Sequence, residues 1–338
     1  MPLITEIGFD PDQKPSLLLR PPMIQSALAS RGKKGLRISD STQHFLFHTF
    51  DQDGHRIRLL GAYDLHRGPS RGLAVLIHGW EGSSESAYVV RLGAQLFRDG
   101  MDIFRINLRD HGPTHGLNPG LFNGSLIHET YDVALQSVNL WREMRYRKDE
   151  DSVIIAGFSM GGNFAIRIAG SHSISRNKIP GLRHVYAISP AVDPEKTTRM
   201  LDAHPILSHY FLRKWFESLK IKEGLFPDLY NFGRLKDAQN VMELTDRVAR
   251  EHSHYASASH YFQSYTVRPE HMARIVVPLT IMSAQDDPII SPDELSPMAD
   301  LPLVRMVLTR YGGHNGFFLN GHPAYLDLVR PPAPERSN

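Results

Sequence analysis

The apolar residues of the chain fall into short runs, and most runs are followed by a segment with helical spacing. Short apolar runs bounded by turn residues are typical of buried strands. They predict strands over residues 72–77, 103–108, 153–156, 184–188, 279–283 and 304–309. Apolar positions at i, i+3 and i+4 predict helices over residues 87–97, 127–144 and 162–170 and near 323–329. Repeated strand–helix–strand order predicts an α/β fold with a mostly parallel central sheet and helices on both faces.

Two segments depart from this alternation. Residues 44–50 and 56–63 alternate apolar and polar positions on either side of a turn at 51–54, which predicts an antiparallel hairpin at a sheet edge. Residues 193–272 are aromatic and have helical spacing but no strand-length apolar run. We therefore expect a helical cap inserted into the sheet domain.

The predicted organisation follows from these patterns. We expect a wrapping segment at residues 1–42, an α/β core at 43–192 and 273–338, and the cap at 193–272. Within the cap, residues 206–222 predict an amphipathic helix. Such a helix packs its apolar face over a pocket or, as the alternative, touches a membrane interface.

Composition excludes several classes of function. The 338 residues include no cysteine, which rules out disulfides, thiolate metal sites and a cysteine nucleophile. The formal net charge of +2 does not indicate a nucleic-acid partner. No run approaches the roughly 20 apolar residues of a membrane helix. The first residues lack the pattern of a secretory signal, so we expect a cytoplasmic protein.

A serine motif carries the main chemical signal. Gly157-Phe158-Ser159-Met160-Gly161 follows a predicted buried strand and precedes a predicted helix. This is the pattern of a nucleophile elbow, in which serine occupies a sharp turn at the end of a strand. Serine attacks a carbonyl only when a base removes its proton and a third group orients the base.

Candidates for the base and the acid follow in the order that such sites use. Asp286-Asp287 follows one predicted strand, and His314 follows the next. Both segments lie at strand ends on the edge that carries Ser159. Neighbouring side chains diverge, so only one aspartate can face the histidine. We favour Asp287, with Asp286 bonding its own turn; Asp193 is a more distant alternative.

A second motif, His78-Gly79-Trp80, ends an earlier predicted strand. Acyl transfer develops negative charge on the carbonyl oxygen, which backbone N–H groups stabilise. We expect these donors from Trp80 and Met160. His78 more simply supports its loop through hydrogen bonds than acts as a base.

A third motif combines Arg109, Asp110 and His111 with His115. These residue types could bind a metal, but Gly112 and Pro113 interrupt any helix that would align the two histidines. We therefore predict no metal and no cofactor. The loop is expected to shape the pocket, with Arg109 and Asp110 joined in an ion pair.

Together these motifs resemble α/β-hydrolases of the YheT-like type, which are related to eukaryotic α/β-hydrolase-domain and embryogenesis-associated proteins. The similar segments are residues 19–26, His78-Gly79-Trp80-Glu81-Gly82-Ser83, Gly157–Asn163, Asp286-Asp287-Pro288 and residues 312–317. The resemblance is weakest in the cap. It implies an α/β-hydrolase fold in which Ser159 is the nucleophile, Asp287 the acid and His314 the base.

The resulting hypothesis is a serine hydrolase, specifically a carboxylesterase that acts on a small ester. A lipid-like substrate is implied by the resemblance to the eukaryotic relatives. Three alternatives remain: an acyltransferase with the same three residues, a metal-dependent hydrolase using Asp110, His111 and His115, and a non-catalytic binding protein of the same fold. The sequence does not predict the oligomeric state.

Overall fold

The computed structural model describes residues 10–31, 35–146 and 152–331. Parts of the predicted segments lie outside the described residues: 1–9 and 32–34 of the wrapping segment, and 147–151 and 332–338 of the core.

Eight strands form one sheet in the order β1-β2-β4-β3-β5-β6-β7-β8. They are β1 (Gln43–Phe50), β2 (Arg56–Asp64), β3 (Leu73–Ile77), β4 (Asp102–Asn107), β5 (Val153–Phe158), β6 (Leu182–Ile188), β7 (Leu279–Ala284) and β8 (Val304–Thr309). The β1–β2 and β2–β4 pairs are antiparallel, and the other pairs are parallel. A separate two-stranded sheet pairs β9 (Phe318–Leu319) with β10 (His322–Pro323).

Eleven α-helices lie in the described residues. They are α1 (Pro22–Ser30), α2 (Ala87–Arg98), α3 (Ile127–Met144), α4 (Met160–Ile174), α5 (Pro194–Asp202), α6 (Pro205–Leu225), α7 (Val241–His252), α8 (Ala258–Gln263), α9 (Pro269–Met272), α10 (Pro292–Leu295) and α11 (Tyr325–Leu328). Short 3₁₀ turns occur at Leu17–Leu19, Gly112–Thr114, Gly233–Asp237 and Ser296–Met298.

The central strands β3, β4, β5 and β7 are buried on both faces because their side chains alternate between two apolar layers. Val75 and Ile77 of β3 pack in the layer that contains Trp141 of α3. Ala74 and Leu76 pack in the opposite layer. A strand covered on both sides has no polar face, which is why β3 reads as a continuous apolar run. The predicted α/β class is confirmed.

The helices α5 to α9 all lie between β6 and β7. In this stretch the described chain forms no strand, as the aromatic helical pattern predicts. Because β3, β5, β6, β7 and β8 pair in parallel, their carboxyl ends lie at one edge of the sheet. The helices α5 to α9 begin at that edge, after β6.

The amino-terminal segment has both buried and exposed residues. In α1, Gln25 is fully buried and Ala29 is 2% exposed. Leu17 and Leu18, just before α1, are exposed. The buried side of α1 lies beside the loop after β8, which Gln25 and Ser26 contact through hydrogen bonds.

None of the helices in the described part of the chain is both long enough and apolar enough to cross a membrane.

Candidate active site

Ser159 occupies a sharp turn between β5 and α4. Its backbone has φ 54° and ψ −117°, a left-handed conformation that costs a non-glycine residue about 1–3 kcal/mol. Backbone hydrogen bonds hold the turn, because the Ser159 N–H donates to Ile188 and the Ser159 carbonyl accepts from Asn163. A Cβ at Gly161 would come within 2.4 Å of the Ile77 carbonyl oxygen, so only glycine fits beside β3.

The structure brings Ser159, His314 and Asp287 into one chain of contacts. His314 Nε2 lies 2.9 Å from Ser159 Oγ, and His314 Nδ1 lies 2.9 Å from Asp287 Oδ2. A neutral imidazole with its proton on Nδ1 satisfies both contacts, since Nε2 can then accept from the serine hydroxyl. The three residues come from the ends of β5, β8 and β7.

The carboxylate of Asp287 is fixed from both sides. Its Oδ1 accepts the backbone N–H groups of Ile289 and Ile290, each at 3.0 Å, which leaves Oδ2 for His314. The side chain is buried. This carboxylate can therefore orient the imidazole without turning toward water.

Asp286 also holds the loop after β8 and does not simply bond its own turn. Its Oδ1 accepts the backbone N–H groups of Gly312 at 2.8 Å and Gly313 at 2.9 Å. Burial raises the pKa of the Asp286 carboxyl, an effect that these two bonds partly offset. The two aspartates thus contact consecutive residues of one segment: Asp286 binds the backbone of Gly312 and Gly313, and Asp287 contacts the His314 ring.

The loop after β3 lies against the serine. A Cβ at Gly79 would stand 3.2 Å from the Cβ of Ser159. In the part of the chain that the structure describes, the N–H groups of Trp80 and Met160 have no protein acceptor. Met160 begins α4, where the free N–H groups of the first turn favour negative charge.

His78 lies beneath this loop and is fully buried. Its Nδ1 is 2.8 Å from the Gly79 carbonyl oxygen, and its Nε2 accepts the Leu108 N–H at 3.1 Å. Burial lowers the pKa of His78 to about 4, although its contact with Gly79 favours the protonated ring. A neutral histidine here joins the loops after β3 and β4.

The expected ion pair between Arg109 and Asp110 is wrong. Arg109 pairs with Glu129 of α3, while Asp110 Oδ1 lies 2.7 Å from Lys222 Nζ of α6. Asp110 has a left-handed φ of 55°, and the two side chains reach different elements. Each buried charge thus has a separate partner, as burial requires.

His111 and His115 also have separate contacts. His111 Nδ1 is 2.7 Å from the Arg109 carbonyl oxygen, and His115 Nε2 is 2.7 Å from Ser218 Oγ. Burial lowers the pKa of His111 well below its usual value. The neighbouring His78 lowers it further, because the two rings would repel each other if both were protonated.

Ser159, Met160 and His314 line a cavity of about 470 Å³. Its walls are mainly apolar and come largely from the inserted helices: they include Leu201, Leu207, Phe211, Trp215, Val241 and Phe262. The Trp80 ring stacks on Phe211 with centroids 5.6 Å apart. A pocket of this size and lining suits a small molecule with an apolar part.

Polar groups occupy one part of the wall. Lys214 Nζ lies 3.5 Å from the Glu81 carbonyl oxygen and 5.5 Å from the centroid of the Tyr210 ring. Burial raises the pKa of the Glu81 carboxyl to about 8, and nearby Lys214 opposes that effect.

The sequence did not identify some of the residues that support this site. Glu129 and Lys222 compensate the charges of Arg109 and Asp110. The Tyr88 hydroxyl oxygen accepts the Gly79 N–H at 3.1 Å. Two other residues near the site, Gln25 and Ser26, did have a sequence signal, because they lie in the segment 19–26 that resembles the family.

Comparison with known proteins supports the fold. The profile of a family described as the alpha/beta hydrolase fold matches residues 75–321. The monoacylglycerol lipase ABHD2 of Mus musculus is 24% identical over 184 residues, which are 50% of this chain and 43% of that protein. The ABHD2 of Homo sapiens is 25% identical over 181 residues, 49% of this chain and 42% of that protein. The chain thus spans less than half the length of these relatives.

Solved structures show the same architecture at low identity. An esterase of Pyrococcus furiosus aligns with a TM-score of 0.51 and 16% identity, covering 85% of this chain and 87% of that chain. A 2,6-dihydroxy-pseudo-oxynicotine hydrolase aligns with a TM-score of 0.53 and 14% identity, covering 86% of this chain and 70% of that chain. At such identities the likeness concerns the fold alone.

Proposed function

The chain belongs to the α/β hydrolase fold family, and from this premise we propose that it is a serine hydrolase that cleaves carboxylic esters through an acyl-enzyme. The observation that carries the proposal is the contact chain from Ser159 Oγ through the imidazole of His314 to Asp287, with 2.9 Å at each step. The geometry matches what a serine nucleophile needs: a base within hydrogen-bond distance and an acid that orients it.

The proposed reaction has two stages. His314 accepts the proton of Ser159 as Oγ attacks the ester carbonyl, and Asp287 stabilises the resulting imidazolium. The tetrahedral oxyanion accepts hydrogen bonds from the Trp80 and Met160 N–H groups. His314 then protonates the departing alcohol. Water, activated by His314 in the same way, attacks the acyl-enzyme and releases the acid.

We propose an ester with an apolar, lipid-like acyl group as the substrate. The mainly apolar cavity beside Ser159 supports this, because apolar walls bind hydrocarbon and a few polar groups fix its orientation. The relatives bear the name monoacylglycerol lipase, which agrees with such a substrate. In this proposal, residues 193–272 form a cap that supplies one large part of the acyl pocket. Residues 43–192 and 273–338 form the catalytic core, and residues 1–42 are a separate amino-terminal segment.

Labelling with a fluorophosphonate, followed by assay on p-nitrophenyl esters of graded chain length, tests the proposal. We expect the label on Ser159, and we expect Ser159→Ala to lose at least about 10³-fold in kcat. Ser30→Ala, which also changes a serine that lines the cavity, is the control and should retain activity. Undiminished ester cleavage by Ser159→Ala would remove this serine from the mechanism.

A further inference from the structure

The amino-terminal helix α1 belongs to the site, although it precedes the sheet and lies outside the family match at residues 75–321. Five residues of this helix line the cavity: Met23, Ser26, Ala27, Ala29 and Ser30. The same helix packs against the loop that carries His314. We call residues 312–318 the histidine loop.

Gln25 of α1 pairs with the backbone of Phe318 at the end of the histidine loop. Its Nε2 donates to the Phe318 carbonyl oxygen at 3.1 Å, and its Oε1 accepts the Phe318 N–H at 2.7 Å. Nε2 also donates to the Leu19 carbonyl oxygen at 2.7 Å. Because Gln25 is fully buried, water cannot replace these bonds if the side chain is removed.

Ser26 holds His314 itself. The backbone N–H of His314 donates to Ser26 Oγ at 2.8 Å, and the Ser26 hydroxyl donates to the Pro22 carbonyl oxygen at 2.8 Å. The bond to Pro22 directs the hydroxyl proton away from the loop, which leaves a lone pair on Oγ for the His314 N–H. Pro22 also lies close to the loop, since a Cβ at Gly313 would stand 2.3 Å from the Pro22 carbonyl oxygen.

The histidine loop needs such external support. Asn315 and Phe317 have left-handed φ values of 61° and 54°, which the surroundings must enforce. Asp286 accepts the first two N–H groups of the loop, and Ser189 Oγ accepts that of Asn315 at 3.2 Å. The side chains of α1 accept two further N–H groups, those of His314 and Phe318, while the Phe317 N–H donates within the loop to the Gly312 carbonyl oxygen.

The helix α1 is in turn fixed to the core. The Arg91 guanidinium of α2 donates to the carbonyl oxygens of Leu28 and Ala29, at 3.1 Å each. The same guanidinium lies over the Phe318 ring, 5.4 Å from its centroid. Arg91 thus joins the end of α1 to the residue that Gln25 binds.

We propose that Gln25 and Ser26 are positioning residues, which fix the backbone of the histidine loop and thereby hold the imidazole of His314 between Ser159 and Asp287. This inference rests on the proposed function, in which His314 is the base. A displacement of about 1 Å at a reacting group can cost roughly 10²-fold in rate. The effect of losing either side chain therefore falls on kcat more than on KM.

Ser26→Ala is the main test because it removes the hydroxyl oxygen that accepts the His314 N–H and keeps the rest of the side chain. We expect kcat on a short p-nitrophenyl ester to fall about tenfold to hundredfold, with little change in KM. Ser26→Thr keeps a hydroxyl acceptor and should restore most of the rate. Ile24→Ala changes an exposed side chain of the same helix that does not line the cavity, and it should behave as wild type. Gln25→Leu should give a larger loss than Ser26→Ala, because it leaves two backbone groups of Phe318 unpaired.

A double-mutant cycle separates positioning from a general folding defect. In a His314→Ala background, Ser26→Ala should not reduce the residual rate further, because the group that Ser26 positions is already absent. An equal loss in both backgrounds would overturn the inference, and so would a wild-type kcat for Ser26→Ala and Gln25→Leu.

Amide hydrogen exchange gives a readout that does not depend on activity. In Ser26→Ala, the amides of residues 312–318 should exchange faster than in wild type, while those of β5 should not change. Unchanged exchange of the histidine loop would overturn the inference. If Ser159→Ala remained active while loop exchange rose as expected, the proposed function would fail and the contact between α1 and the loop would stand.

Discussion

Asp286 and Asp287 are adjacent in sequence, but their carboxylates bind different atoms. Asp287 contacts the His314 ring, whereas Asp286 accepts two backbone N–H groups of the histidine loop. An asparagine at 287 can present its amide N–H to the ring and so favour the wrong tautomer, whereas an asparagine at 286 can keep its oxygen on the backbone. We expect Asp287→Asn to lose about 10²–10⁴-fold in kcat.

Asp286→Asn is the matched variant, and its loss should be less than about tenfold because one amide oxygen still accepts both N–H groups. Steady-state kinetics on a single ester compares the two. A larger loss for Asp286→Asn would reverse the assignment of the acid.

Glu81 should make stability depend on pH. Burial raises the pKa of its carboxyl in the folded state to about 8 from 4.5, against the influence of Lys214, while Asp110 and Glu217 add to the increase. The folded state therefore binds this proton more tightly than the unfolded state. The stabilisation is fully present below pH 4.5 and is lost as the pH rises through about 8.

Glu81→Gln removes this proton equilibrium. As the pH rises from 5 to 8, wild type should lose the stabilisation that the Glu81 proton provides, whereas the variant should not. The free energy of unfolding of the variant minus that of wild type should therefore be larger at pH 8 than at pH 5, which urea unfolding at the two pH values measures. Glu251→Gln, an exposed carboxyl on α7, is the control. A difference between Glu81→Gln and wild type that does not change with pH would contradict the expected shift.

At the scale of single residues, the sequence could predict which side chains meet as the proposed reactive groups better than it could predict the residues that support them. Ser159, Asp287 and His314 stand at strand ends, and parallel strands bring such positions to one edge. Their meeting therefore follows from local patterns and chain order. The partners of Arg109 and Asp110 depend on how α3 and α6 pack, which no local pattern contains.

The helix α6 depends on a buried charge near its end. Lys222 is 1% exposed and donates to Asp110 at 2.7 Å and to the carbonyl oxygens of Asn118 at 2.6 Å and Gly120 at 3.1 Å. Lys222→Met would leave Asp110 buried without its cation. Breaking a buried pair in this way costs about 3–5 kcal/mol. We expect a decrease of that size in the free energy of unfolding, measured with urea.

Lys220→Met is the control for this variant, since Lys220 is exposed on the same helix. Its stability should match wild type within about 0.5 kcal/mol. The double variant Lys222→Met with Asp110→Asn should recover part of the loss, because no uncompensated charge remains. A Lys222→Met protein as stable as the control would show that the pair does not hold α6.

At the scale of elements, strands and long helices were easier to predict than the arrangement of the inserted helices. The helix predicted at 206–222 exists as α6 (Pro205–Leu225) and presents Phe211 and Trp215 to the cavity. Its apolar residues do not form one face, however: Ile206, Ile221 and Leu225 are exposed. A helix that contacts a pocket, a core loop and solvent has no single stripe from which its packing could be predicted.

At the scale of the whole molecule, one edge of the sheet collects the loops after β3, β5, β7 and β8. The resemblance to α/β-hydrolases is confirmed by the family match over residues 75–321. The proposed reacting groups lie at the ends of sheet strands, whereas α5 to α8 supply a large part of the apolar cavity wall. We therefore expect a substitution in the wall of the cavity to change the preference among substrates without changing the reactivity of Ser159.

Leu207→Trp tests this separation. Leu207 lines the cavity and packs beside Leu201 and Val241, so a larger ring should occupy space that a long acyl chain needs. We expect kcat/KM for long p-nitrophenyl esters to fall at least about tenfold relative to the acetate, with a wild-type rate of fluorophosphonate labelling. Ile221→Trp is the control, because Ile221 lies on the same helix, is 51% exposed and does not line the cavity. An equal loss on short and long esters would mean that the cap wall and the reacting groups are not independent.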